Sequence, residues 1–330
     1  MPTLLVITPH PDDEAYAFGG TIALAAKAGW RCIVQCASAG ERGKRHDGGP
    51  TDAESVGTVR LAELAASCRA LGAQPPATWG LPDGDLAKEP SQAARISALF
   101  SAIEPDLVLT LGADGAYGHP DHIAVYEWVL EAWEASPGLR PPLLFAAFPR
   151  GLFLPQYEKC IGMMGMPPYP RPEAIGGQPV HYGVPTLSVV PHKLSAVESH
   201  RSQLPLGASS MFPGNIIDAL WRIERYSDAT GEPQIEVARL LHAIQPGDYI
   251  LESLVNIGKN SANWLRQVGI RTPADLCAAG PDEAYLGVKS SFPEKATPNL
   301  YYSLYGAIFG LRWDHMAKAE LQILRESLPR

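Results

Sequence analysis

The sequence predicts an α/β fold, a mostly parallel sheet with helices on both faces, joined to a small all-helical C-terminal domain. Three observations carry this. The first 150 residues alternate short β-branched runs with longer helical patterns, the pattern of parallel strands joined by crossover helices. The clearest strand-like runs, Leu4–Thr8 and Asp106–Leu111, are almost continuously apolar, as strands buried on both faces are. Beyond about residue 246 the chain changes to short helical stretches punctuated by proline and glycine.

In order, Leu4–Thr8 reads as a buried strand, Glu14–Ala28 as a helix and Cys32–Ala37 as the second strand. Ser38–Ser55 is rich in Gly, Asp and Arg and reads as a mobile surface loop. Val59–Leu71 is helical, Thr78–Leu81 a short strand and Ser91–Ile103 a helix. Asp106–Leu111 is a buried strand, Asp121–Ala135 a helix and Leu143–Phe148 a strand. Residues 149–183, rich in Pro and Gly, read as an irregular excursion near a site mouth. Thr186–Val190 is a further strand, and His192–Gln203 and Met211–Arg225 are helices. A boundary is expected between Ser227 and Pro246, giving domains 1–240 and 246–330. The second should hold five short helices, with Thr272-Pro273, Gly280-Pro281 and Pro298 as their punctuation.

At 330 residues, 46% hydrophobic and 19% charged, the chain can bury a real core. No apolar run reaches the roughly 18 residues of a membrane span, and the start lacks the basic and apolar regions of a signal peptide. The expected compartment is the cytoplasm, with no membrane partner. The net charge of −8 resides in residues 1–245, and the remainder is neutral, so the basic face of a dedicated nucleic-acid binder is missing. The five cysteines, Cys32, Cys36, Cys68, Cys160 and Cys277, are scattered without a CxxC, which argues against a disulfide framework or a cysteine zinc site.

Two segments carry chemistry. Pro9-His10-Pro11-Asp12-Asp13-Glu14 follows the first strand, and Tyr117-Gly118-His119-Pro120-Asp121-His122 follows Asp106–Leu111. In an open α/β sheet the loops after the strands form the ligand crevice, so the two segments should converge. Imidazoles and a carboxylate suit Zn²⁺, three protein ligands leave a position for water, and a spare carboxylate beside the metal can take that water's proton. Either segment alone is also a plain turn before an acidic helix start; two such turns with this composition at one sheet edge are improbable as coincidence.

At these residues the chain resembles the LmbE-like, or PIG-L, de-N-acetylases, zinc hydrolases with a Rossmann-like domain, over about residues 1–225. The resemblance implies that His10, Asp13 and His122 hold the metal and that Asp12 is the general base. It implies that His119 protonates or polarises, that Asp121 tunes His119, and that Tyr117 is a mobile tyrosine near the oxyanion. It also places Arg60 and Asp83 against sugar hydroxyls, where the alternatives are a solvated helix arginine and a plain turn. Zn²⁺ is the implied cofactor, with another divalent metal such as Fe²⁺ as the alternative. His200-Arg201-Ser202-Gln203 ends a helix in a manner typical of the family, and an ordinary helix end is the reading adopted for it.

The stretch Leu251–Ala262 with Leu265 and Val268-Gly269-Ile270, continuing through Ala284-Tyr285-Leu286, Asn299-Leu300-Tyr301 and Gly310-Leu311-Arg312-Trp313, is similar to the C-terminal domain of TfoX-like proteins and looks like a helix-hairpin-helix. Such a turn can present backbone N–H groups to a phosphate, but the segment is neutral, so a packing or interaction module is favoured, with a protein partner or self-association. The function implied is removal of an acetyl group from an N-acetylglucosaminyl conjugate, with GlcNAc-malate or GlcNAc-inositol leading and chito-oligosaccharide or free N-acetylglucosamine as alternatives. The rivals are a regulatory or nucleic-acid-linked binding protein acting through the C-terminal domain, and an amidase on a thiol conjugate.

Overall fold

The computed structural model describes residues 1–136, 138, 140–148, 158, 175–204 and 221–329. It divides into two units: Met1–Val180 with Pro185–Gly231, and His181–Val184 with Glu232–Arg330.

The first unit supplies strands β1 (Thr3–Thr8), β2 (Arg31–Ser38), β3 (Ala77–Leu81), β4 (Leu107–Thr110), β5 (Leu143–Ala146) and β7 (Ile223–Asp228). Their order is β3-β2-β1-β4-β5-β7. The first five run parallel, and β7 pairs antiparallel with β5 through Phe145 and Ser227. All six residues of β1 are buried, in keeping with the continuous apolar run Leu4–Ile7 between its two threonines. Helices α1 (Asp13–Lys27), α2 (Ala53–Leu71), α3 (Ala93–Ile103), α4 (Pro120–Glu134) and α5 (Val190–Ser199) cover the sheet. Ile96 and Phe100 of α3 and Val125, Trp128 and Val129 of α4 pack on Leu5, Ile7, Val108, Leu143 and Phe145. Leu4 and Val6 alternate to the opposite face, and α1, α2 and α5 pack on one another.

Sheet order reverses at β1. Its crossover through α1 leads to β2 on one side, while β4 pairs with it on the other. The loops leaving the carboxyl ends of β1 and β4 therefore flank one crevice, the place where such folds bind ligands.

Three expectations need correction. Thr186–Val190 is not a strand: Leu187–Val189 is a short 3-10 turn and α5 starts at Val190, with Pro191 in its first turn. The end of the proposed Met211–Arg225 helix is instead the start of β7, because Glu224, Tyr226 and Asp228 are buried polar positions of a strand; residues 211–220 lie outside the described residues. Ser38–Ser55 is not simply a surface loop, since Ser38 ends β2 fully buried and its first turn is tied to the crevice, as shown below. Most of the excursion at 149–183, with Met163, Met164 and Met166, also lies outside the described residues.

The second unit contains β6 (Tyr182–Pro185) up to Val184 and helices α6 (Ile235–Ala243), α7 (Lys259–Gln267), α8 (Pro273–Ser291), α9 (Pro298–Phe309) and α10 (Lys318–Glu326). Thr272 caps α8 through a capping box with Asp275. Gly280 adopts φ 72° before Pro281 and breaks α8 in the middle, the stop and restart that the sequence suggests. Leu265, Leu276, Val288, Leu304 and Ile308 form the interior with Tyr285 and Tyr301. The strand segment joins it through Tyr182, whose ring meets Phe309 edge-on and whose hydroxyl accepts from the Gln234 N–H at 2.6 Å.

In α1, a Cβ at Gly20 would lie 2.3 Å from Thr186 Cγ2 and 2.9 Å from Glu224 Oε1. Glu224 is buried and already accepts from Lys193 Nζ and Thr21 Oγ1, so it has no room to retreat. Gly20→Ala should destabilise the chain by about 1–3 kcal/mol, read as a lower thermal unfolding midpoint; an unchanged midpoint would show that this contact is not close-packed.

Candidate metal centre

The Pro9–Asp12 loop is fixed before it reaches the crevice. The Pro9 carbonyl accepts from the N–H and the hydroxyl of Ser38, each at 3.0 Å. Asp12 then takes φ 124°, ψ −30°, a conformation that costs a non-glycine residue of order 1–3 kcal/mol and is typical of functional sites. The second loop is strained too: Ala116, next to Tyr117, sits at φ 63°, ψ −63°. Asp114 holds that turn by accepting from the N–H groups of Ala116 and Gly176 and from Gln178 Nε2.

These loops bring three donor atoms together. His10 Nδ1 lies 3.3 Å from His122 Nε2 and 3.5 Å from Asp13 Oδ2, and His122 Nε2 lies 3.5 Å from Asp13 Oδ1. Ligands held about 2.0–2.2 Å from a tetrahedral zinc stand roughly 3.3–3.5 Å apart; the two imidazole nitrogens have that separation, and each meets one of the two Asp13 oxygens at 3.5 Å, so the three residues suit such an ion. His10 Nε2 is 3.1 Å from Asp121 Oδ2 and 3.2 Å from Asp83 Oδ1. A hydrogen on Nε2 shared with those carboxylates leaves the Nδ1 lone pair for a metal, the arrangement that commonly orients a metal-binding histidine. His122, 1% exposed, has no hydrogen-bond partner at Nδ1 among the described residues.

The electrostatics ask for a cation. Burial lowers the His10 pKa, but hydrogen bonds to Asp121, Asp13 and Asp83 override it and hold the ring well above its ordinary value. Burial pushes His122 down to about 3 and His119 to about 4, the latter helped by the charge on His10. Asp13 is held below the usual carboxylate range because His122 and His10 outweigh its burial. Without a metal, three carboxylates thus draw a proton onto one of three clustered imidazoles; a dication can supply that charge instead.

Asp12 stands beside this set. Burial lifts its carboxyl to about 6, against the opposing charge of Arg60. Arg60 is 4% exposed. Its guanidinium donates to Asp12 Oδ2 at 3.0 Å, to the Pro11 carbonyl at 2.5 Å and to the Gly40 carbonyl at 2.9 Å. The described contacts of its guanidinium thus go to the Asp12 carboxylate and the two loops. A Cβ at Gly40, which adopts φ 67°, would lie 2.3 Å from Arg60 Nη1, so a glycine is needed there.

Asp83 and Asp121 both stand against His10 Nε2. Asp83, 6% exposed, faces His10 and accepts from the Arg42 N–H at 2.8 Å. Its own N–H donates to Glu41 Oε1 at 2.8 Å, and Arg42 pairs with Asp85 at 2.7 Å. The Asp121 carboxylate accepts from the N–H groups of Gly84 and Leu86 while it meets His10. It is the Asp121 backbone N–H that donates to His119 Nδ1, at 3.1 Å. That bond makes His119 the N-cap of α4 and leaves the ring hydrogen on Nε2. Tyr117 meets His122 and His119 edge-on, with ring centroids 5.1 and 5.8 Å away.

Two further buried residues adjoin Asp12: Glu14, to which the sequence gives no role, and His200, expected only as an ordinary helix end. Glu14 Oε2 accepts from the Asp12 N–H at 2.9 Å, and Oε1 lies 2.8 Å from His200 Nε2. Glu14 stands inside the first motif and His200 heads the HRSQ segment, and those positions were their only signals.

The fold and donor set define an α/β protein with a His-Asp-His cluster that could hold a metal ion at its strand-order reversal. Residues 5–133 match the family model PIG-L, described as GlcNAc-PI de-N-acetylase. Residues 248–328 match the TfoX C-terminal domain. The chain is 30% identical over 203 residues to a probable N-acetyl-α-D-glucosaminyl L-malate deacetylase 2 of Bacillus cereus, covering 61% of this chain and 83% of that protein. It is 28% identical over 278 residues to a 1D-myo-inositol 2-acetamido-2-deoxy-α-D-glucopyranoside deacetylase 1 of Saccharopolyspora erythraea, covering 71% of this chain and 91% of that one. A 4-carboxy-2-hydroxymuconate hydratase, GalB, of Pseudomonas putida shares the fold at TM-score 0.50 and 19% identity, over 69% of this chain and 96% of that one. The chain belongs to the PIG-L, or LmbE-like, family and carries a TfoX_C-like C-terminal domain.

Asp121→Ala should weaken zinc binding about 10–100-fold in a competition titration, because His10 loses its orienting partner. Parental affinity would show that Asp121 does not set the ligand geometry.

Proposed function

We propose that the chain is a metal-dependent hydrolase that removes the acetyl group from an N-acetylglucosaminyl conjugate, with malate or inositol as the leading aglycones. The observation that carries this reading is the His10–Asp13–His122 donor set with a buried, separately held carboxylate, Asp12, next to it. The curated relatives named above act, by their names, on N-acetylglucosaminyl malate and on an inositol glycoside.

In this reading His10, Asp13 and His122 hold the divalent ion, zinc by preference. Such an ion supplies Lewis acidity toward the amide carbonyl and lowers the pKa of its water toward about 7. Asp12 accepts the proton from the attacking water. Burial suits it to the task, since a carboxylate lifted toward neutrality is a stronger base than a solvated one. Arg60 fixes where that carboxylate stands. His119 presents Nε2–H as a hydrogen-bond donor toward the developing oxyanion, with Tyr117 at its edge. The proton held by Asp12 then goes to the departing amine. Asp83 and Asp121 orient His10.

Every residue of the centre belongs to the first unit. We assign catalysis to that unit and an interaction role, with a protein partner or a second copy, to the TfoX_C-like unit. Among the described residues, no helix is long and apolar enough to cross a membrane.

The test is release of free amine from a panel of N-acetylglucosamine, its malate and inositol conjugates and diacetylchitobiose, with the zinc-loaded full chain. Turnover of a conjugate supports the reading; no amine from any member contradicts it. Asp12→Asn should keep one equivalent of zinc and lose about 10²–10⁴-fold in kcat, and near-parental kcat would remove Asp12 from the mechanism. Arg60→Leu should lower kcat more than it raises KM, because the guanidinium meets the base; a change confined to KM would return Arg60 to the sugar.

A further inference from the structure

Helix α5 begins more than 160 residues after α1 ends, yet it packs along α1. It meets that helix region through two buried polar rungs two turns apart on its own axis. Lys193 pairs with Glu224, which accepts from the N–H groups of Gly20 and Thr21 at 2.7 and 2.8 Å. His200, seven residues on and just past the end of α5, pairs with Glu14. The first rung touches the middle of α1. The second reaches its start, where the chemistry is.

Glu14, Ser67 and His200 are all fully buried. Glu14 Oε1 accepts from the Ser67 hydroxyl and lies 2.8 Å from His200 Nε2. With that oxygen satisfied from behind, Oε2 is aimed at a single group, the N–H of Asp12 at 2.9 Å. Asp12 is the residue whose φ of 124° no helix or strand would impose. From the other side Arg60 holds the Pro11 carbonyl and the Asp12 carboxylate. The strained peptide is thus clamped at its donor by Glu14 and at its acceptor by Arg60. A buried carboxylate in need of two donors is a costly way to fill a core, and an apolar side chain at position 14 could not accept the Asp12 N–H.

We propose that His200 is a positioning residue for the reaction, acting through Glu14 to hold the strained backbone of Asp12 so that its carboxylate stays beside the donor set. The device works through the hydrogen on His200 Nε2, whatever charge the ring carries. It rests on the deacetylase reading for its effect on turnover, but not for its effect on the Asp12 amide.

The experiment compares the zinc-loaded full chain with His200→Leu and His200→Gln, whose amide nitrogen can take the place of Nε2. Three quantities are read: bound zinc, hydrogen exchange of the peptide spanning Asp12, and kcat and KM on N-acetylglucosaminyl inositol. His200→Leu should retain one zinc and exchange faster at Asp12. Its kcat should fall roughly 10- to 100-fold, the range for a lost hydrogen bond to a charged group, with KM little changed. His200→Gln should recover most of both effects. Parental exchange and kcat in His200→Leu would overturn the proposal, as would a Gln variant no better than Leu. If His200→Leu does not fold, Ser67→Ala removes the other donor to the same oxygen. Faster exchange at Asp12 then supports the proposal, and unchanged exchange overturns it. If the parent cleaves no conjugate while exchange responds as stated, the deacetylase reading fails and the positioning role stands.

Discussion

The parallel pairing of β1 with β4 is the constraint from which the centre follows. Leu4, Leu5 and Val6 lie opposite Leu107, Val108 and Leu109, so two loops 100 residues apart in sequence leave adjacent strand ends side by side. One delivers His10 and Asp13, the other His119, Asp121 and His122. Pairing between apolar runs sets the register, and a slip of one residue would turn the buried side chains of β1 to the wrong faces. The positions of the clustered His and Asp donor atoms are inherited from that register. Thr110 adds a side-chain link, its hydroxyl donating to the Ile7 carbonyl at 2.8 Å.

Around that frame the protein spends polar groups where apolar ones would pack more cheaply. Asp121 is fully buried, and two backbone N–H groups and His10 share its oxygens. Each such carboxylate is tolerable only because its acceptors are filled. The outcome is rigidity: His10 is held at Nε2, Asp12 at its N–H and carboxylate, and His119 at Nδ1. Under the proposed function such prior placement helps, since little order would have to be created when a reaction begins.

The strand-helix alternation, the two motifs and their convergence were legible in the sequence because apolar continuity and turn chemistry are local signals. The partners of the motif residues were not. Arg60 reads as a helix arginine, and nothing local says that it turns to Asp12. Asp121 stands two residues from His119 in sequence, yet its side chain meets His10 from the other loop. Glu14 looks like an acidic residue suited to a helix start, and only α5, arriving from residue 190 onward, gives it a buried partner. The start of β7 is not legible as a strand because Glu224 is buried by Gly20, Thr21 and Lys193, remote partners that no periodicity encodes. The TfoX_C-like unit was legible by its capping residues, whereas the inclusion of residues 181–184 in it was not.

X-ray absorption on the chain loaded with one equivalent of zinc tests the central claim most directly. The account predicts nitrogen and oxygen ligands at about 2.0–2.2 Å, with the outer-shell scattering of two imidazoles and no sulfur. That signature should lose one imidazole in His122→Ala. A sulfur shell at about 2.3 Å, or a spectrum unchanged by His122→Ala, would place the metal elsewhere and contradict it.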